Sequence, residues 1–266
     1  MVLLVIVAGI LIGLSLGALG GGGSILTVPV LVYLLGMDAY QATTASLIIV
    51  GTTSLFALIP HARRGHVRAA SGLVFGVVGI AGSLLGAQAA ARIAGPVLLG
   101  GFALLMLVVA ALMLRRASRP VGLDEEAPTQ PMLTLRPLRC QCPRVLKLVV
   151  AATVVGFLTG FFGVGGGFAL VPALVLALGF PMPTAVGTSL LVIGVNSVTA
   201  LTTRLSTGLS LDWPVVIGFT AVAVLASLAA GQLATRVSQR ALTRSFAAVL
   251  VMVALGMGGH TLVSVL

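Results

Sequence analysis

The sequence predicts an all-α integral membrane protein of about ten hydrophobic helical segments. They form two inverted-topology five-segment repeats, with broken or re-entrant helix pairs at two glycine motifs. Three observations predict this. Apolar runs of about twenty residues recur along the 266-residue chain, which is 59% hydrophobic and 8% charged, with a mean hydropathy of +1.21. A soluble domain carries about 25% charged residues, and a run of this length is what a helix needs to cross a bilayer. A glycine-rich stretch is written twice. The basic residues fall in alternate loops.

The repeat is explicit. Gly13 to Pro29 reads GLSLGALGGGGSILTVP, and Gly156 to Pro172 reads GFLTGFFGVGGGFALVP. Gly13, Gly17, Gly20, Gly22, Gly23 and Pro29 fall on Gly156, Gly160, Gly163, Gly165, Gly166 and Pro172 at one constant offset. The match continues from Ala42, Ser46 and Leu47 to Ala185, Ser189 and Leu190.

In chain order, apolar segments are expected over 1–19, 25–36, 39–60, 69–91 and 95–114. A polar linker follows, then segments over 148–162, 168–179, 183–203, 211–235 and 241–265. This divides the chain into a first transmembrane repeat (1–115), a linker (116–147) and a second repeat (148–266). The linker holds prolines, Asp124, Glu125, Glu126 and many arginines, and reads as a loop. The apolar start is taken as the first segment and not as a signal peptide, because its pattern recurs from Leu148, deep in the chain.

Charge sets an expected orientation. If the chain starts outside and every segment crosses, Arg63, Arg64, Arg68, the linker, Arg236, Arg240 and Arg244 all lie inside, and only Arg92 and Arg204 lie outside. The positive-inside bias favours that arrangement, so the linker is expected to be cytoplasmic and the N-terminus outside. It also accounts for the net charge of +10 without nucleic acid as a partner. Each half then crosses an odd number of times, so the second is upside down relative to the first. The count stays odd if the first pair of each half is a re-entrant hairpin. Inverted repeats are a mark of secondary transporters.

The second segment is too short to span. Residues 25–36 make about 18 Å of helix at about 1.5 Å per residue, against a hydrocarbon core of about 30 Å. Its glycine end therefore lies at depth, and the inverted copy brings a second glycine end towards it. Glycines permit positive φ and close approach to the main chain. The first N–H groups of the helix that follows have no intrahelical partner and attract an anion. Pro29 and Pro172 each remove a donor, which frees the carbonyls of Ile25 and Phe168 if the helix continues. Packing alone is the competing role for such glycines.

Candidate anion-binding residues are therefore Gly21, Gly22, Gly23 and Ser24 in the first half and Gly165, Gly166, Gly167 and Phe168 in the second. Ser46 and Ser189, at matched positions, add hydroxyls that either help line an anion cavity or bond to their own helix or a neighbour. Asn196 falls mid-segment and must find a partner, in another helix or in a substrate. Gly72, Gly76, Gly79, Ser83 and Gly86 form a small-residue stripe that reads as packing. Asp38, Asp212, His61, His66 and His260 fall near segment ends, so no buried carboxylate serves as a proton carrier or cation site. Arg204 ends the eighth segment, where it reads as a snorkelling side chain. There is no nucleophile–base set, no zinc spacing and no phosphate loop with its lysine, so no enzyme, metal or cofactor is expected. Cys140 and Cys142 are too close for an ordinary disulfide framework.

The duplicated motif, the following AVGTSLLVI and the GLSLDW stretch with Asp212 and Trp213 resemble the sulfite exporter TauE/SafE family of membrane permeases. The first copy departs from the pattern at Gly21 and Ser24, where the second has Val164 and Gly167, and in reading GHVR for GLSL. The resemblance covers nearly the whole chain except the linker. It implies transport of sulfur-containing anions such as sulfite or organosulfonates across a bacterial inner membrane. The expected partners are then a small anionic substrate and the lipid bilayer, and a homo-oligomer is compatible with both. A passive anion channel, or a protein of sulfur metabolism using Cys140 and Cys142, are the alternatives.

Overall fold

A computed structural model describes residues 2–90, 93, 95–118, 133–135, 138–140, 142–162, 167–204, 211–234 and 237–265. Its elements are α1 (Val2–Leu19), α2 (Gly22–Pro29) continued by a π-helical turn (Val30–Leu34), α3 (Ala39–Arg63), α4 (Ala69–Ala90) and α5 (Gly95–Ser118). After the linker come α6 (Cys142–Phe162), α7 (Gly167–Leu176), α8 (Met182–Arg204), α9 (Trp213–Ala234) and α10 (Gln239–Val265). Among the described residues, six helices are long and apolar enough to cross a membrane: α3, α4, α5, α6, α8 and α9. The protein is a helical membrane protein, with ten α-helices among the described residues.

Local chemistry explains the ends. Gly36 and Gly179, equivalent by the repeat, both adopt left-handed φ (67° and 70°) just past α2 and α7. The amides that follow reach back to helix carbonyls, Met37 to Leu31 at 3.1 Å and Phe180 to Leu174 at 3.0 Å, closing both helices with the same glycine cap. Asp38 caps α3 by accepting from the Tyr40 amide at 3.1 Å. α6 begins six residues before the expected Leu148, because Pro143 fits the first turn of a helix. α3 runs a turn-fraction past Pro60 to Arg63. Pro29 leaves its turn without a donor, and the helix widens there into the π turn. α7 passes through Pro172 as an α-helix. The linker is not wholly loop: Leu133–Leu135 pairs antiparallel with Leu138–Cys140.

Helix packing shows the inversion. α1 lies on α9, and its repeat mate α6 lies on α4. Gly13 meets Ala223 and Gly17 meets Ser227; Gly156 meets Gly79 and Gly160 meets Ser83. In both pairs the numbers rise together, so the helices run parallel. α3 packs on its own mate α8 in the opposite sense: Gly51 meets Ser197, Leu55 meets Gly194, and His61 meets Gly187. Two equivalent helices packed antiparallel across a two-fold axis put that axis perpendicular to the helices, which is inverted topology.

At Gly13, Gly17, Gly156 and Gly160 a β-carbon would run into a backbone carbonyl of the facing helix. Small residues are what allow such approach where lipid offers no hydrophobic drive between helices. The stripe on α4 divides its work: Gly79, Gly82, Ser83 and Gly86 face α6, while Gly72 and Gly76 face α8. Gly160→Ala should therefore destabilise the protein by about 1–3 kcal/mol, read as a lowered melting temperature in detergent. Gly100→Ala, with open space around it, should leave the melting temperature unchanged.

Candidate functional site

The first glycine motif makes its turn at Gly20 and Gly21. Gly20 has φ 67°, and a β-carbon there would meet Ser189 Oγ. Gly22 and Gly23 already belong to α2, so the break is tighter than the motif suggests. Gly22 faces Phe246 of α10, and Gly23 packs on Leu16 and the Ile12 carbonyl of α1. These two glycines let α2 double back on α1.

The two breaks meet. Gly21 lies on the Gly167 carbonyl, and Gly167 lies against Ser24 and Ile193, the latter halfway along α8. Ser24 Oγ donates to the Gly21 carbonyl at 2.7 Å. The contact therefore sits in the middle of the bundle, as the short second helix of each half requires. Gly165 and Gly166 lie outside the described residues. Phe168 is buried, its ring edge-on to Phe102 with centroids 5.0 Å apart, so its side chain serves the core.

The two tips touch, so the open space lies beside them. A cavity of about 360 Å³ is bounded by α3, α4, α6, α7 and α8. Its walls are mainly apolar, with Phe75, Leu170 and Ile193 among them. Polar groups enter from Ser83, Thr159, Asn196 and Ser197, and Gly167 at the N-terminus of α7 forms part of the wall. Asn196 Oδ1 and Thr159 Oγ1 are buried without a hydrogen-bond partner. An orphaned buried polar atom costs about 1–3 kcal/mol and calls for a ligand, water or ion.

Gly167 and Asn196 are thus brought together at one cavity. Ser46 and Ser189 are not part of its wall. Each donates its hydroxyl to its own helix, Ser46 to Thr43 and Ser189 to Val186, both at 2.8 Å. Thr159 was not singled out by the sequence, although a signal existed. Its counterpart in the first motif is Leu16, which is fully buried. The two copies thus differ in polarity at a position that lines the cavity in the second half.

His61 also escaped notice. It was placed near a segment end, yet it is 2% exposed, and its Nε2 lies 3.2 Å from the Gly17 carbonyl in the last turn of α1.

Inverted repeats, paired helix breaks at mid-depth and a part-polar cavity beside them are features of a helical membrane transporter. The chain belongs to the sulfite exporter TauE/SafE family, whose model matches residues 5–257. It is 36% identical over 252 residues to a probable membrane transporter protein of Xylella fastidiosa strain 9a5c, covering 93% of this chain and 91% of that one. It is 28% identical to the probable membrane transporter protein YunE of Bacillus subtilis, over 77% of this chain and 78% of that one. These relatives are described as transporters and not as enzymes.

Replacing the orphaned groups separates stability from function. Thr159→Val and Asn196→Leu should each raise thermal stability by about 1 kcal/mol, because a buried unpaired polar atom is removed. Each should slow transport in liposomes at least tenfold. Loss of both stability and transport would show that these groups serve the fold.

Proposed function

We propose that the protein is a secondary transporter of a small sulfur-containing anion, sulfite or an organosulfonate, which binds in the cavity beside Gly167. The observation that carries this reading is the cavity itself. It places the N-terminus of a helix interrupted at depth, the Asn196 side chain with its unpaired Oδ1 and the unpaired Thr159 hydroxyl around one space. An anion accepts from a hydroxyl and from first-turn N–H groups, and a water that hydrates it donates to the Asn196 oxygen. Among the described residues, no carboxylate lines the cavity to repel it.

Size supports an anion with company. At about 30 Å³ per water, 360 Å³ holds on the order of ten waters. A four-heavy-atom oxyanion would keep some hydration, while an organosulfonate would lay its carbon end on the apolar wall. The Gly21–Gly167 contact lies between the cavity and the end of the bundle that carries Arg63 and Arg64. Rocking of one repeat against the other about the α3–α8 seam would break that contact and open the other side.

Liposomes containing the protein, loaded with unlabelled sulfite, should take up labelled sulfite by exchange. No protein-dependent exchange of sulfite or of any sulfonate would end this reading. Flux at ionic rates with no counterflow would favour a channel.

The arginine-rich end is assigned to the cytoplasm of a bacterial inner membrane, with the N-terminus outside. Cys140 and Cys142 are the only cysteines, and both belong to that end. An impermeant maleimide should label inside-out vesicles and spare intact spheroplasts; the reverse pattern would invert the assignment.

A further inference from the structure

His61 is a buried ionisable residue within a segment read as membrane-spanning. It is 2% exposed and sits in the last turn of α3. Its Nε2 faces the Gly17 carbonyl at 3.2 Å. A carbonyl only accepts, so Nε2 carries the hydrogen and Nδ1 holds a lone pair. Nδ1 is buried and has no partner.

The surroundings are cationic or neutral. From the loop that follows α3, Arg64 and His66 face the ring, with ring centroids of His61 and His66 6.5 Å apart. Burial first, and Arg64 second, hold His66 below the usual imidazole range. Gly17 on α1, Gly187 on α8 and Gly231 on α9 close the other sides, and those three helices carry no ionisable residue at this level. The acidic residue on this side of α3, Asp38, stands at the opposite end of that helix.

Such a site has an incomplete hydrogen-bond set in either charge state. Neutral, Nδ1 is an acceptor without a donor. Protonated, it is a donor without an acceptor, among positive charges. An oxyanion passing between the arginine-rich end and the cavity, by way of Gly20 and Gly21, would supply both the acceptor and the negative charge. Proton and anion then each make the other's binding more favourable. The position is also mechanically apt. Gly17 lies three residues before the Gly20 turn, so the imidazole is tied to the element that separates the cavity from this end.

We propose that His61 is the coupling residue of a proton-linked anion transporter, its Nδ1 taking up one proton from water at the arginine-rich end as each anion enters from that end and giving it up, with the anion, to the opposite side. The proposal rests on the transporter reading above and adds the coupling ion. By the repeat offset, His61 falls on Arg204. One half therefore places a titratable cation where the other places a permanent one.

The test compares wild type with His61→Gln, whose amide NH₂ still donates to the Gly17 carbonyl but cannot titrate, and with His61→Asn. Labelled sulfite is followed in liposomes, with protein-free liposomes as the blank for sulfite's own titration. Wild type and the variants should show counterflow within about threefold of one another. Under a pH gradient, with the side of addition acidic, wild type should accumulate sulfite at least fivefold and the variants less than 1.5-fold. His66→Gln should accumulate like wild type. Variants that accumulate as wild type does would overturn the proposal. So would wild type that exchanges sulfite without responding to the gradient, which leaves the transporter reading standing. Variants that fold by size-exclusion chromatography but have lost exchange as well would show that His61 is not a separable coupling residue, and would also overturn it. Absence of counterflow in wild type overturns the transporter reading and the coupling with it.

Discussion

A helix broken at membrane depth can survive only if protein shelters the freed backbone, and here each break shelters the other. Gly21 rests on the carbonyl of Gly167, with no room for a β-carbon at either residue. Everything else follows from holding that contact at mid-depth. The α1–α9 and α4–α6 pairs bring the interrupted segments down through glycine faces that touch carbonyls. The α3–α8 seam, antiparallel and close, fixes the level at which the two breaks meet. The cavity is the space left beside the contact, where α7 begins.

Much of this was written in the sequence because it depends on residues without side chains. Glycine spacing repeated at a fixed offset gave both the number of breaks and their equivalence. A twelve-residue apolar run too short to span gave their depth. Charge in alternate loops, with odd parity, gave the inversion now seen in the opposed packing of α3 and α8. What stayed hidden depends on which way a side chain points. Ser46 and Ser189 looked like ligands because they match across the repeat, but each satisfies its own helix. Thr159 carries no mark of its own inside GFLTGFF, and its side chain faces the cavity. His61 looked terminal in sequence, because nothing in one chain says that Gly17, forty-four residues earlier, will lie over its ring.

The glycines themselves divide into kinds that composition cannot separate. Gly20 supplies a left-handed turn, Gly22 and Gly23 allow a hairpin to close, and Gly13 and Gly17 permit interhelix contact. Of the described residues in the two motifs, Gly167 combines contact with the partner break and a place in the cavity wall. A run of four glycines is thus several separate solutions to several separate steric demands.

The two copies share an inverted helical arrangement and differ at many side chains. Were they identical, exchanging their conformations would turn an outward-facing molecule into an inward-facing one of equal energy, and the resting protein would populate both alike. Thr159 against Leu16 and Arg204 against His61 lift that degeneracy. In a transporter that alternates between two facing states, a bias between them would follow from such differences, without any change in the architecture the copies share.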